Sequence, residues 1–217
     1  DLAGALVQFE QASPHDPVEK AAFQCRVDSL RYIQQHMPEA CLCNSQDALL
    51  AFALDCVSLQ GLHLEFGVHT GHTVNFIADR VYETVHGFDS FQGLPEDWQP
   101  GCEKGTYALE SIPEVRSNVK LHIGWFEETL PDFVAQHSES VAFLHVDCDL
   151  YSSTQSVFKY LGQKIKSGTV IVFDEYLNYP GWQDHEFKAF QEFVRNRDLK
   201  YTYLAYSIRP MQTAVII

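Results

Sequence analysis

From Gly61 onward the chain alternates two kinds of segment, and this alternation narrows the choice of fold more than any single motif. Short apolar runs at 62–66, 84–88, 119–123, 141–146, 169–173, 201–206 and 213–217 are separated by helix-patterned stretches at 73–81, 128–136, 154–165 and 184–197. Strands this short and this apolar, with a helix returning the chain between them, predict a parallel sheet covered on both faces. The last two runs are only six residues apart. No crossover helix fits that gap, so the last strand is expected to be antiparallel. The expectation is an α/β fold with a seven-stranded, mostly parallel sheet over 61–217. Residues 1–60 read as a helical extension of the same domain. Phe23, Val27, Leu30, Ile33 and Met37 recur at helical spacing and Pro38 ends that helix; Ser45 is the N-cap expected for a second one reaching residue 59. Its expected role is a lid or a homodimer contact.

The 217 residues are 46% apolar, enough for one sizeable core. A formal charge of -14 with no Lys/Arg cluster opposes binding to phosphate backbones, so no nucleic-acid partner is expected. None of the six cysteines forms a CxxC pair, which reads as reduced thiols rather than a zinc site. With no apolar run of membrane-spanning length and no secretory signal pattern, a cytoplasmic protein without a membrane partner is expected.

Two strand ends carry the first chemistry. Glu65-Phe66-Gly67-Val68-His69-Thr70-Gly71 runs from a strand through glycines into a helix. Open α/β sheets bind ligands beyond the carboxyl ends of their strands, and glycines there admit close backbone approach. The spacing is not G-x-G-x-x-G, and the leading acid favours a cationic ligand over a pyrophosphate. Asp89 ends the next strand, where a carboxylate accepts hydrogen bonds from ribose hydroxyls. Both NAD and S-adenosylmethionine (SAM) carry a ribose, so Asp89 alone does not separate them. The segment 92–117, with Pro95, Pro100, Gly101, Gly105 and Pro113, has little periodicity and reads as a lid or binding loop.

The blocks LEFGVHTGHTVNFIA, VHGFDSFQGLPEDW, VKLHIGWFEETLP, VAFLHVDCDLYSST and VIVFDEYLNYPGW follow in this order. Together they resemble the SAM-dependent methyltransferases related to macrocin O-methyltransferase, over roughly residues 45–217. The resemblance implies a Rossmann-like class I methyltransferase domain. Glu65, Gly67, Val68 and Gly71 would then line the methionine side of SAM. Asp89 would hold the ribose, with Ser90 and Phe91 beside it, and Gly124, Trp125 and Phe126 would border the adenine.

Asp147 ends the fourth strand of the core, and Asp174 with Glu175 ends the fifth. Clustered carboxylates repel one another until protonation or a cation relieves them, and Mg²⁺ prefers oxygen ligands. The resemblance implies a metal on Asp147, Asp174 and Glu175, although the family pattern has Asp-Asp where this chain has Asp-Glu. Asp147 and Asp149 are the expected catalytic acids, Asp149 as base or outer ligand. His145 reads as a hydrogen-bonded core histidine. Tyr176, Tyr179 and Trp182 are expected against a small-molecule acceptor, with Trp98 adding to that wall. The reading is O-methylation of a small natural-product or sugar-like hydroxyl. An NAD-dependent oxidoreductase and a non-catalytic SAM-binding module are the alternatives.

Overall fold

The computed structural model describes Gly4, residues 17–208 and residues 211–217. The rest of the expected N-terminal extension, with Arg209 and Pro210, lies outside the described residues. The elements are α1 (Pro17–His36), β1 (Cys41–Leu42), α2 (Gln46–Asp55), β2 (Leu62–Phe66), α3 (His72–Ala78), β3 (Val85–Asp89), β4 (Val119–Ile123), α4 (Phe126–Gln136), β5 (Val141–Val146), α5 (Tyr151–Leu161), β6 (Val170–Phe173), a 3-10 turn (Trp182–Asp184), α6 (Glu186–Asn196), β7 (Thr202–Tyr206) and β8 (Thr213–Ile216). Ser45 caps α2 as expected, its side chain accepting from the Ala48 N–H. No helix among the described residues is long and apolar enough to cross a membrane.

One sheet carries all the strands, in the order β1-β7-β8-β6-β5-β2-β3-β4. β8 is antiparallel to both β6 and β7, and every other pairing is parallel. Among the described residues the sheet therefore has eight strands where seven were expected. The additional one, β1, is two exposed residues paired to the edge of β7. Two residues have no readable period, and neither is buried, so no apolar run marks this strand.

Both faces are covered. Leu64, Phe66, Leu144, Val146, Ile171 and Phe173 share one core with Leu130 and Phe133 of α4, Val157 and Leu161 of α5, Phe190 and Phe193 of α6, and Ile33 and Met37 of the extension. The alternate positions, Val85, Phe143, Val170 and Val172, pack with Leu49 and Leu50 of α2 and Val74 and Ile77 of α3. Period-2 alternation in a sheet buried on both faces requires this division.

A histidine pair lies on the outer strands. His86 Nδ1 of β3 and His122 Nε2 of β4 are 3.0 Å apart. Burial, then repulsion from neighbouring cations, pulls both pKa values down to about 4. The unfolded chain therefore binds protons that the native pair refuses. The pair's contribution to stability is whole above the ordinary histidine value and is lost as pH falls through 6.5 toward 4. Between pH 7 and 4.5 the melting temperature is expected to fall, and His122→Phe should make that decline shallower. Equal slopes for the two proteins would contradict the assignment.

Candidate active site

Register places the site. Phe66 of β2 lies opposite Val146 of β5, and Val146 opposite Phe173 of β6. The next residues, Gly67, Asp147 and Asp174, thus leave the sheet side by side. The chain turns to opposite sides of the sheet around β2 and β5, and a crevice opens there. Gly67 has φ 92°, and a Cβ on it would lie 1.6 Å from the Asp147 carbonyl oxygen. No other residue type allows the glycine loop to cross the acidic strand end so closely.

Asp89 ties the loops of this crevice together. Its Oδ2 accepts from the Val68 and His69 N–H groups at 2.8 Å each, and its Oδ1 accepts from the Phe91 N–H at 2.7 Å. An ionised carboxylate has about four acceptor sites. Three are filled by backbone, which leaves one on Oδ1.

Behind the glycine loop is a buried ionic chain. Glu65, fully buried, lies opposite His145 in register and binds His145 Nδ1 at 3.0 Å and Thr73 Oγ1 at 3.1 Å. His145 Nε2 faces Asp174 Oδ1 at 3.8 Å. Burial opposes a charge on the imidazole, but the Asp174 and Glu65 carboxylates outweigh it and hold the His145 pKa well above its ordinary value. Asp174 Oδ1 also accepts from Gln46 at 2.8 Å and from Gln212. Removing the shared cation leaves two buried acids uncompensated, so His145→Leu is expected to cost about 4 kcal/mol of unfolding free energy in a urea titration. A loss below about 1 kcal/mol would show that the chain carries no net stabilisation.

The acids of the rim face the other way. Asp147, Asp149 and Glu175 bring one oxygen each within 4.8 Å of one another, and His145, Asp147 and Asp174 form a second such group. Asp174 and Glu175 thus fall in different groups that share Asp147, because Asp174 is turned inward toward Gln46, Gln212 and His145. Burial, then the Asp174 charge, pushes Asp147 well above the usual carboxylate range; Glu175 is raised by the same causes. Asp149 is pushed up to about 6, by burial first. Among the described residues Glu175 Oε2 is buried without a hydrogen-bond partner. An all-oxygen group short of positive charge fits a hard divalent cation. Beneath the rim the buried Glu186 accepts from the Cys148 N–H at 3.3 Å and the Glu175 N–H at 3.2 Å, pinning both strand-end loops.

These parts open on one cavity of about 620 Å³. Of the residues expected at a site, Gly67, Asp89, Ser90, Trp125, Phe126, Asp147, Asp149 and Glu175 line it. Glu65 lies behind the wall, bonded to His145. Val68 contributes its N–H to Asp89, and its side chain joins the core. Gly71 is the left-handed N-cap of α3. Phe91 is buried, and Gly124 donates its N–H to the Asp89 carbonyl at 3.0 Å.

The expected acceptor aromatics are placed elsewhere. Tyr176, Tyr179 and Trp182 are 0%, 5% and 2% exposed and belong to the main core. Tyr176 bonds Tyr203 and Gln191, Trp182 packs on Phe187, and Trp98 packs on Tyr179 and His185. Apolar burial of these rings took precedence over the exposed wall expected of them. The cavity wall is completed instead by Leu94, Pro95, Glu96, Lys104 and Tyr107 of the 92–117 loop and by Ser152 and Ser153 of the first turn of α5. Sequence reasoning missed those residues. The loop's lack of periodicity signalled a lid, but nothing in it marked which side chains turn inward.

A model of the methyltransferase domain family matches residues 64–176, which is more than half of the chain. The chain belongs to this family. A demethyldecarbamoylnovobiocin O-methyltransferase of Streptomyces niveus is 32% identical over 120 residues, covering 46% of this chain. The match spans 45% of that relative, about half its length. The solved structure of CalS11, a calicheamicin methyltransferase, is similar with a TM-score of 0.64 at 21% identity, covering 99% of this chain and 91% of that one. The structure of the O-methyltransferase NovP is similar with a TM-score of 0.59 at 22% identity, covering 78% and 76%. These two likenesses are of fold.

Proposed function

We propose that this protein transfers the methyl group of SAM to a hydroxyl of a small natural-product or sugar-like acceptor. One observation carries the reading: the glycine loop, the ribose-binding type of acid and the carboxylate rim open on a single cavity. The names of the novobiocin and calicheamicin relatives support the acceptor class.

In this reading Gly67 lets the cofactor approach the strand end, and the free acceptor site on Asp89 Oδ1 takes a ribose hydroxyl. SAM supplies the activated methyl group. Trp125 and Phe126 offer apolar surface to the adenine. Asp147 and Glu175, of the oxygen group that also contains Asp149, would hold a divalent ion, Mg²⁺ by its oxygen preference, which orients a hydroxyl and lowers its pKa when bound, while Asp174, expected as a third ligand, is turned inward toward His145. Asp149, whose carboxylate lies in the same group as those of Asp147 and Glu175, is placed to take the hydroxyl proton. Ser152 and Glu96, bonded to each other at 2.6 Å, offer polar contacts to the rest of the acceptor.

The test is a screen of hydroxylated glycosides and phenols for S-adenosylhomocysteine (SAH) release, run with Mg²⁺ and with EDTA. Release that needs both acceptor and Mg²⁺ is expected. Undiminished release in EDTA would remove the ion from the mechanism, and no release with any acceptor would count against methyl transfer to this class.

A further inference from the structure

Tyr107 is part of no motif, yet it lines the cavity. It comes from the 92–117 loop and shares that cavity with Gly67 and Glu175. Its ring meets that of His69, in the glycine loop, edge to face at 5.7 Å between centroids. Its hydroxyl contacts Cys102 Sγ at 3.7 Å.

Both partners are held in place by backbone, and both holds lead to Asp89. The His69 N–H donates to Asp89 Oδ2 at 2.8 Å. The Leu109 N–H, two residues beyond Tyr107, donates to the carbonyl of Phe91, whose own N–H donates to Asp89 Oδ1. The acid that organises the proposed ribose subsite therefore also fixes the spacing of the two rings. Tyr107 has φ 70° and His69 φ 45°. Side chains rarely adopt the left-handed region, and strain of this kind gathers at ligand clamps. Tyr107 is 46% exposed despite its ring contact, so much of its surface is open to be covered by a ligand.

We propose that Tyr107 and His69 form a two-ring latch that holds the 92–117 loop over bound SAM or SAH. The proposal rests on the SAM reading above. Tyr107 is then a cofactor-retaining residue that the glycine and acid motifs do not include. The ring carries the effect, through apolar contact and the edge-to-face pair, so the hydroxyl is dispensable.

The test is a double-mutant cycle on SAH binding, read by titration calorimetry and needing no acceptor. Tyr107→Ala and His69→Ala should each weaken binding roughly tenfold, and the double variant should be little worse than either. Tyr107→Phe should stay within about twofold of wild type. Tyr107→Asn, whose side chain tolerates the left-handed backbone, should match Tyr107→Ala and so separate loss of the ring from loop distortion. Wild-type binding with Tyr107→Ala or Tyr107→Asn unchanged overturns the latch alone, as does a double variant equal to the product of the singles. A wild type that binds no SAH overturns the cofactor reading, and the latch falls with it.

Discussion

Asp89→Ala is expected to lower SAM affinity by at least about a hundredfold and to destabilise the fold by about 3 kcal/mol. The carboxylate accepts three backbone N–H groups from two loops, at 2.7 to 2.8 Å. Charge-assisted bonds of this length are the stronger kind, and a backbone donor left without an acceptor costs more than the bond was worth. Water can reach the exposed His69 N–H, so its loss is the smallest of the three. Affinity falls further than stability because the remaining acceptor site and the geometry of both loops are lost together. Asp89→Asn should lie between, since it keeps one acceptor oxygen but turns an amide toward backbone donors. Calorimetry with SAM and urea unfolding measure the two effects. A SAM affinity within about threefold of wild type would mean that Asp89 only braces the loops.

Asp147→Asn is expected to reduce turnover by roughly a thousandfold while leaving SAM affinity nearly intact. Asp147 belongs to both close groups of potential ligands, so neither group is complete without it. Burial and the Asp174 charge already hold its carboxyl well above the ordinary range, which means its ionised form is costly to the fold. Asn keeps the shape and removes that charge. The melting temperature should therefore hold or rise as activity disappears, the signature of a residue kept for function at the expense of stability. Activity within about tenfold of wild type, or a lower melting temperature, would contradict this.

The sheet was legible because its signals are repetitive: short apolar runs, helix-patterned stretches between them, and a gap before β8 too short for a crossover. β1 was not legible, because two exposed residues on the edge of β7 depend only on what lies beside them. At the site, strand position was informative. Gly67, Asp89 and Asp147 follow or end buried strands, and the register of β2, β5 and β6 brings those ends together on the cavity. Side-chain direction past the strand end was less so. Asp174 and Glu175 are neighbours, yet one turns inward to His145 and the other lines the cavity. Tyr176, Tyr179 and Trp182 carry the composition of a binding wall, but their loop packs inward. Glu186 is invisible to local reading, since it acts on Cys148 and Glu175 across the fold.

The central claim is that the cavity holds SAM, and titration calorimetry with SAM and with NAD tests it most directly. One SAM per chain, bound with a dissociation constant in the micromolar range, and no heat with NAD are expected. Heat with NAD and none with SAM would contradict the account and favour an oxidoreductase on the same fold.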